Sequence, residues 1–163
     1  MSSTPAQVSP IHFRQAMSRF ATGVAIATAF GADGQPHGLT VNSFVSVSLD
    51  PPLVSFCIDR GALALAHFLE APGFAIHVLS EEQEELSSRF ARRGKDRFQG
   101  LAWSRGQTGA PLLAQALALF ECERRQAIAA GDHYILLGEV KHATAGSGAP
   151  LLYFESRYRR LGA

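Results

Sequence analysis

The sequence predicts a mainly β protein, an antiparallel barrel with two or three peripheral helices. About seven segments of the chain are short and rich in apolar and β-branched residues, as strands are. Turn signals at Asp33-Gly34 and at Gly131-Asp132 indicate that neighbouring strands are joined as hairpins. The strands do not alternate regularly with helices. This order argues against a doubly wound parallel sheet and favours the antiparallel barrel.

The composition is typical of one globular domain, and its charge does not indicate a strongly charged binding partner. Of the 163 residues, 47% are hydrophobic and 18% charged, and the formal net charge of +1 gives no electrostatic reason to expect nucleic acid or an anionic membrane as partner. The first ten residues lack the features of a signal peptide, and no apolar run of about 18 residues could span a membrane. We expect a cytoplasmic protein in which Cys57 and Cys122 are reduced. Residues 1–9 are expected to be disordered and 10–163 to form the domain.

The first helix is predicted from its start signal and its apolar periodicity. Ser9 is a good N-cap, and Pro10 suits the first helical position. Apolar residues then recur at helical spacing, so we expect this face to be buried and the helix to end at Thr22-Gly23. The face consists of Phe13, Ala16, Met17 and Phe20.

Two further segments have helical character. Residues 62–71 have a helical composition that stops before Pro72. Residues 80–83 read Ser-Glu-Glu-Gln, a capping box that opens a helix running to about Ala91. Acidic residues begin this helix and arginines end it, which suits the helix dipole; the arginines could also approach an anionic group of a ligand.

The remaining regular segments are predicted to be strands by their β-branched and apolar content. Double prolines at 51–52 end one of them, because proline cannot continue a ladder. The loop-rich region 94–115 is expected to anchor Phe98 and Trp103 in the core. The predicted strands are 24–30, 38–49, 53–59, 74–80, 117–129, 133–143 and 151–154.

The strand that begins at Gly38 carries two different faces. One face is apolar and suits a core, with Leu39, Val41, Val45, Val47 and Leu49. The other face carries Thr40, Asn42, Phe44, Ser46 and Ser48. Short uncharged donors and acceptors could surround the edge of a planar heteroaromatic ligand. They could equally form the solvated face of an ordinary antiparallel strand, and alternation by itself favours that interpretation.

Familiar catalytic motifs are absent from the sequence. It contains neither a phosphate-binding GxxxxGK[ST] nor a GxGxxG after a strand, and neither HExxH nor GxSxG. No two histidines stand at ligand spacing on a helix, so no metal site is predicted; a lone strand histidine such as His77 is interpreted as structural. If the protein is an enzyme, an organic cofactor supplies its chemistry.

Five segments in sequence order resemble one known family. They are FRQAMSRFATGV at 13–24, GLTVNSFVSVSLDPPLV at 38–54, FAIHVLSEEQEELSSRFA at 74–91, FECERRQAIAAGDHYILLGEV at 120–140 and PLLYFESRYRRL at 150–161. The chain thus resembles the flavin reductase-like family of FMN-binding split barrels. Members are short-chain NAD(P)H:flavin oxidoreductase components of two-component flavin monooxygenases.

The resemblance implies a fold, a reaction and partners. The implied fold is a six-stranded antiparallel split β-barrel of Greek-key type with peripheral helices, assembled as a homodimer with flavin near the interface. The implied reaction is hydride transfer from NADH or NADPH to FMN or FAD, with reduced flavin passing to a separate oxygenase. The alternative is a flavin-binding electron carrier or flavin store of the same fold. A haem-binding or non-redox split barrel ranks last, since no axial ligand is evident.

The resemblance also implies roles for particular residues. Residues beside the flavin ring are Thr40, Val41, Asn42 and Ser43, and those at the ring edge and ribityl chain are Ser46, Val47 and Ser48. Nearer the ribityl chain and phosphate are Cys57, Asp59, Arg89 and Phe90. His133 would lie beside the nicotinamide as the catalytic residue, with Tyr158 closing the same pocket; by spacing alone, His133 could instead merely hydrogen-bond its turn.

One segment departs from the family pattern. Many relatives carry Ser or Thr after the third strand, where they contact the phosphate, but residues 60–65 here read Arg-Gly-Ala-Leu-Ala-Leu. The phosphate contact is therefore expected from backbone N–H groups, a helix N-terminus or Arg60.

Overall fold

The computed structural model describes residues 7–94 and 97–162, which form twelve strands and three α-helices. Residues 1–6 of the segment predicted to be disordered lie outside this description. The helices are α1 (Pro10–Met17), α2 (Leu65–Glu70) and α3 (Glu84–Ala91). The first strands are β1 (Thr22–Gly23), β2 (Ala25–Phe30), β3 (Pro36–Val41), β4 (Val45–Leu49), β5 (Pro52–Asp59) and β6 (Gly73–Val78). The later ones are β7 (Trp103–Arg105), β8 (Pro111–Leu113), β9 (Ala118–Ala130), β10 (His133–Ala145), β11 (Leu152–Phe154) and β12 (Arg157–Arg159).

The main sheet has seven antiparallel strands in the order β3-β2-β6-β9-β10-β5-β4. The prediction of a mainly β, antiparallel protein with peripheral helices is therefore confirmed. The sheet has seven strands, whereas the resemblance implies a barrel of six. No ladder joins its edge strands β3 and β4 in the described part of the chain, so hydrogen bonds do not close it into a barrel.

The predicted strand 38–49 is divided in two, because the chain crosses from one edge of the sheet to the other. β3 ends at Val41 and β4 begins at Val45. We call residues 42–44 the crossing segment. Four residue steps span at most about 14 Å, whereas the edges of a flat seven-stranded sheet would lie about 29 Å apart. The sheet must therefore curl strongly to bring its two edges together.

The division also corrects the predicted core face. Val41 is buried, but Val45 and Val47 are half exposed and Leu49 is 93% exposed. The apolar face of the first half lies in the core, whereas that of the second half lies on the surface of the single chain. A period-two pattern does not indicate that a strand breaks and changes edge.

The three predicted helices are present near their predicted positions, but the predicted burial of the first one is wrong. The Ser9 side chain caps α1 by accepting from the His12 amide at 3.3 Å, and the capping box at 80–83 opens a 3₁₀ turn that leads into α3. However, α1 ends at Met17, before the predicted Thr22-Gly23, and contains no buried residue. Phe13 is 58% exposed and Phe20 68%. The apolar periodicity marks a face that can be buried, not one that packs within its own chain.

The core has two parts, on the two faces of β2. Ala25 and Ala27 face a cluster with Phe56 and Phe74, whose rings meet edge to face at 5.0 Å. Ile26 faces a second cluster under α3. That cluster contains Val24, Leu79, Phe90, Leu113 and Leu151. Burial on both faces explains the apolar sequence of this central strand.

Two aromatic predictions have different outcomes. Phe98 packs against Phe90 with ring centroids 5.1 Å apart, so it anchors its loop as expected. Trp103 is 41% exposed and contacts Phe30 at the surface, so its predicted place in the core is wrong. It lies on the short β7–β8 hairpin, within the region predicted to be rich in loops.

Candidate functional site

Ser43 and Phe44 hold the crossing segment against the sheet, and Ser43 does so through Cys57, another predicted site residue. The Ser43 hydroxyl accepts a hydrogen bond from the Cys57 amide at 2.9 Å. Phe44 packs against Phe120 of β9 with ring centroids 5.3 Å apart. Asn42 is exposed and lines a cleft of about 230 Å³ whose other wall is formed by α1 and the β11–β12 hairpin. The segment is thus held in place while leaving an amide side chain accessible.

β4 presents an irregular edge beside the crossing segment. Ser46 pairs with Val54 and Ser48 with Leu53, so Val47 forms a bulge between them. A bulged residue leaves backbone groups outside the ladder, and β4 is also an edge strand. Backbone and hydroxyl groups of 46–48 are therefore available to a ligand on this edge.

Thr40 and Tyr158 are brought together through α3. The Thr40 hydroxyl donates to the Ser87 carbonyl at 2.6 Å, and the Ser87 hydroxyl lies 2.8 Å from the Tyr158 hydroxyl. Tyr158 also packs against Tyr153. Ser87 is fully buried, so these contacts fix α3 against β3 and the C-terminal hairpin. Sequence reasoning missed Ser87, which no motif marks.

Val41 and Phe90 have their side chains in the core. Val41 is 6% exposed and Phe90 is fully buried. A Cβ on Gly38 would lie 2.8 Å from the Phe90 ring, so the absence of a side chain at 38 lets α3 pack closely on β3. These two residues can reach a ligand through backbone groups, while their side chains shape the wall behind it.

His133 lies at the start of β10, directly across from Asp59 of β5. Its Nδ1 is 2.7 Å from the Asp132 carboxylate, and its side chain is 42% exposed. This hydrogen bond and the nearby imidazole lower the pKa of Asp132, and the charge of Arg14 on α1 acts in the same direction. A proton on Nδ1 directed at Asp132 leaves Nε2 as the ring's acceptor. The residue is therefore hydrogen-bonded to its turn and also accessible.

The turn after β5 contains the alternatives predicted for a phosphate contact. The amides of Arg60, Gly61 and Ala62 donate to the Asp132 carbonyl, the Asp59 carboxylate and the Asp59 carbonyl, respectively. These backbone groups are committed within the turn, with Asp59 as its cap. The Arg60 guanidinium lies over the Tyr134 ring, 4.9 Å from its centroid. Of the predicted sources, Arg60 is the cation best placed to reach outward.

Arg89 and Arg97 extend from α3 and the loop that follows it. Arg89 donates to the Gln99 carbonyl, and Arg97 donates to the carbonyls of Gly38 and Arg92. Burial lowers the pKa of Arg97. Both guanidiniums thus organise this loop. Arg97 was missed by sequence reasoning because it approaches Gly38 from far along the chain.

A pocket of about 690 Å³ lies at the start of β3 and contains none of the thirteen predicted residues. Its wall includes His37 on β3, His67 on α2, and the adjacent Arg97 and Phe98 after α3, so residues from three separate segments form it. Its volume falls in the range of small-molecule sites. Sequence patterns could not reveal it, because the packing of α2, Gly94 and residues 97–99 against β3 creates it.

His77, on β6 of the main sheet, has a structural role, as predicted. Its Nδ1 lies 3.1 Å from the Ile26 carbonyl, and its Nε2 accepts from the Leu113 amide at 3.0 Å. Burial lowers the pKa of His77 to about 4. The ring is therefore neutral at pH 7 and joins β2, β6 and β8.

The sequence model described as the flavin reductase like domain matches residues 17–162. The chain belongs to the flavin reductase like family. It is 46% identical to FMN reductase (NADH) SmoA of Agrobacterium fabrum, over 91% of this chain and 84% of the relative. It is 41% identical to the reductase component of a flavin-dependent trigonelline monooxygenase of Acinetobacter baylyi, over 89% of this chain but only 47% of that longer relative.

A solved member of the flavin reductase like family has the same fold. The NADH:FAD oxidoreductase SgcE6 of Streptomyces globisporus, in complex with NAD and FAD fragments, superimposes with a TM-score of 0.88 at 38% identity. The match covers 96% of this chain and 97% of SgcE6. In the present chain, no helix within the described residues 7–94 and 97–162 is long and apolar enough to cross a membrane.

Proposed function

We propose that this protein is an NADH:flavin oxidoreductase that supplies reduced flavin to a separate monooxygenase. The observation that carries the proposal is family membership over residues 17–162. The relatives named FMN reductase (NADH) and NADH:FAD oxidoreductase support NADH as the hydride donor, with NADPH the weaker candidate, and support either FMN or FAD as acceptor. The Acinetobacter relative, a reductase component of a monooxygenase, supports the separate oxygenase. We place the activity in the cytoplasm.

The flavin ring is proposed to lie along the crossing segment and the edge of β4. The exposed Asn42 amide, the Ser46 hydroxyl and the bulge at Val47 offer the uncharged hydrogen-bonding groups that suit the polar edge of the ring. A flavin bound there supplies a hydride acceptor. The proposed contacts are Thr40, Val41, Asn42 and Ser43 beside the ring and Ser46, Val47 and Ser48 at its edge. Thr40 and Val41 act through their backbones, since their side chains are engaged in packing.

The phosphate is proposed to lie beyond Cys57, toward the turn after β5. Arg60 is our main candidate for its contact, because the neighbouring amides are used within the turn. Arg89 is a second candidate, with the Phe90 backbone at the same helix end. Asp59 is assigned to the turn, since its carboxylate accepts from Gly61 at 2.6 Å and would repel a phosphate at close range.

His133 is proposed to position the nicotinamide. An imidazole fixed by Asp132 on Nδ1 can offer Nε2 to a carboxamide without changing its own protonation state. Tyr158 acts on the same pocket only through Ser87 and α3, which hold the wall beside Thr40.

The domain, taken as 10–163, is proposed to be a homodimer of split barrels. The strong curl imposed by the crossing segment supports the barrel, with packing rather than a ladder closing the gap between β3 and β4. Exposed apolar side chains support the dimer. They are Phe13 and Met17 on α1, Phe20 shortly after it, and Val45, Val47 and Leu49 on β4.

NADH oxidation tests the reductase function. The purified protein is mixed with NADH or NADPH, with FMN or FAD, and the nicotinamide absorbance is followed under air. We expect flavin-dependent oxidation that is faster with NADH. Tight flavin binding without oxidation of either nicotinamide would instead identify a flavin store or electron carrier.

A further inference from the structure

Three potential metal ligands converge beside the pocket at the start of β3. Asp33 lies in the β2–β3 turn, His37 on β3 and His67 on α2. One ligand atom from each lies within 4.8 Å of the others. The sequence does not reveal this group, because thirty residues separate the two histidines and neither belongs to a ligand motif.

The backbone leaves room for the three side chains at one point. A Cβ on Gly31 would lie within 3.0 Å of His67 Nδ1, Asp33 Oδ1 and His37 Nε2 at once. All three ligand atoms thus converge on the same small space above the Gly31 backbone. Any larger residue at 31 would displace at least one of them.

The distances agree with those around a small divalent ion. His37 Nε2 lies 3.1–3.2 Å from the two Asp33 carboxylate oxygens. Two ligand atoms bound to one tetrahedral ion at about 2.0–2.1 Å lie about 3.3 Å apart. The stacked rings of His37 and His67 have centroids 3.4 Å apart and planes that differ by 11°. The stacking brings the two rings to the same place, so both can supply a nitrogen ligand to one ion.

The charge of the group also suits a cation. The Gln35 amide donates to the Asp33 carboxylate at 3.0 Å, and this hydrogen bond together with the nearby histidines lowers the pKa of Asp33. The carboxylate is therefore ionised at neutral pH. It supplies one negative charge beside two nitrogen ligands, a donor set typical of zinc sites.

We propose that Asp33, His37 and His67 form a binding site for a divalent first-row transition ion, with Zn²⁺ the best match. Binding replaces the hydrogen bond between His37 and Asp33 and turns one ring out of the stack, because an ion must lie near the plane of each imidazole that binds it. His67 has room to turn, since it borders the pocket of about 690 Å³. Three protein ligands leave a fourth position open to this pocket.

The ion would join the β2–β3 turn to α2. His37 lies five residues before the crossing segment, about 16 Å along the extended chain, so the ion would be separate from the proposed flavin ring site. Because metal binding to the folded state adds to its stability, we expect Zn²⁺ to raise the melting temperature.

Calorimetric titration of Zn²⁺ into the chain of 163 residues, without an affinity tag, tests the site. We expect one ion per chain, with binding weakened at least tenfold by Asp33→Asn and by His67→Ala. His142→Ala is the matched control, since His142 is exposed on β10, and it should bind as the wild type does. Substituting Co²⁺ should give the visible absorption of a low-coordinate site in the wild type and the control alone.

Equal binding by the wild type and by the Asp33→Asn variant would overturn the proposal, as would failure of the wild type to bind Zn²⁺. Asp33→Asn is decisive even if His67→Ala folds poorly. Its amide oxygen can still accept from the Gln35 amide, so the turn is preserved while the charge is lost.

Discussion

The Ser43 hydroxyl accepts the Cys57 amide proton at 2.9 Å and thereby fastens the crossing segment to β5. The bond joins residues that are fourteen apart in sequence and that come from two places predicted to contact the flavin. It fixes the point at which the chain leaves one edge of the sheet for the other. Its position makes the geometry of the proposed ring site depend on one hydroxyl.

Ser43→Ala should therefore affect both stability and flavin affinity. The Cys57 amide loses its partner, which costs about 1–3 kcal/mol in unfolding free energy. The loosened crossing segment should also weaken flavin binding by roughly tenfold, or about 1.4 kcal/mol. Urea unfolding and flavin titration measure the two effects. Ser104→Ala, at an exposed position on β7, is the control. A variant with lower stability but unchanged flavin affinity would contradict the placement of the ring.

A direct test of the ring contacts is the double substitution Asn42→Leu and Ser46→Val. Both residues are exposed, so the fold should survive. Loss of two hydrogen bonds at about 0.5–1.5 kcal/mol each would raise the flavin dissociation constant roughly ten- to a hundred-fold. Fluorescence titration with FMN and with FAD measures it. An unchanged titration curve for the folded variant would exclude this surface as the flavin site.

The exposed face of α1 predicts the oligomeric state. Burial of a large apolar side chain contributes about 1.5–3 kcal/mol, and α1 exposes more than half of Phe13 and of Met17. We expect a dimer in sedimentation experiments and a monomer for Phe13→Glu with Met17→Glu. Leu161→Glu, which charges an equally exposed leucine outside α1 and β4, should remain dimeric. A monomeric wild type with full reductase activity would contradict the proposed interface.

These results show what the sequence could and could not predict. Strands, hairpins and caps depend on local patterns, so β2, β6, β9, β10 and the capping box are found near their predicted positions. Relationships between distant segments leave no local signal. Period two did not show that 42–44 crosses the sheet, helical spacing did not show that Phe13 is exposed, and nothing marked His37 and His67 as neighbours.

Acid should destabilise the protein through His77. Its pKa is about 4 in the folded state, lowered by burial, and about 6.5 when unfolded. The unfolded state therefore binds more protons between these values, so stability falls as pH falls through this window. From pH 7 to pH 5 the loss should be about 2 kcal/mol. Urea unfolding at both pH values measures it. The His77→Gln variant should be less stable than the wild type at pH 7 but should lose less unfolding free energy on acidification. An equal loss of stability in both proteins would mean that other residues cause the acid sensitivity.

His133→Ala should separate nicotinamide binding from flavin binding. The ring is held by Asp132 at 2.7 Å at the start of β10, opposite Asp59 and outside the core. Its removal leaves the hairpin intact but removes a group proposed to hold the nicotinamide within reach of the flavin. Reacting atoms must lie about 3–3.5 Å apart for hydride transfer, so poorer positioning lowers the rate without any change in proton transfer.

We expect kcat/KM for NADH to fall about ten- to a hundred-fold, or about 1.4–2.7 kcal/mol of transition-state stabilisation, with flavin affinity unchanged. Asp132→Asn should cause a smaller loss, because the imidazole remains but its orientation is less fixed. His142→Ala, farther along the same strand, should retain full activity. If His133→Ala instead lost flavin binding while turnover per bound flavin stayed normal, the residue would have only a structural role in its turn. Steady-state kinetics and flavin titration on the same purified variant decide between these outcomes, because positioning the nicotinamide affects the first measurement and a structural role affects the second.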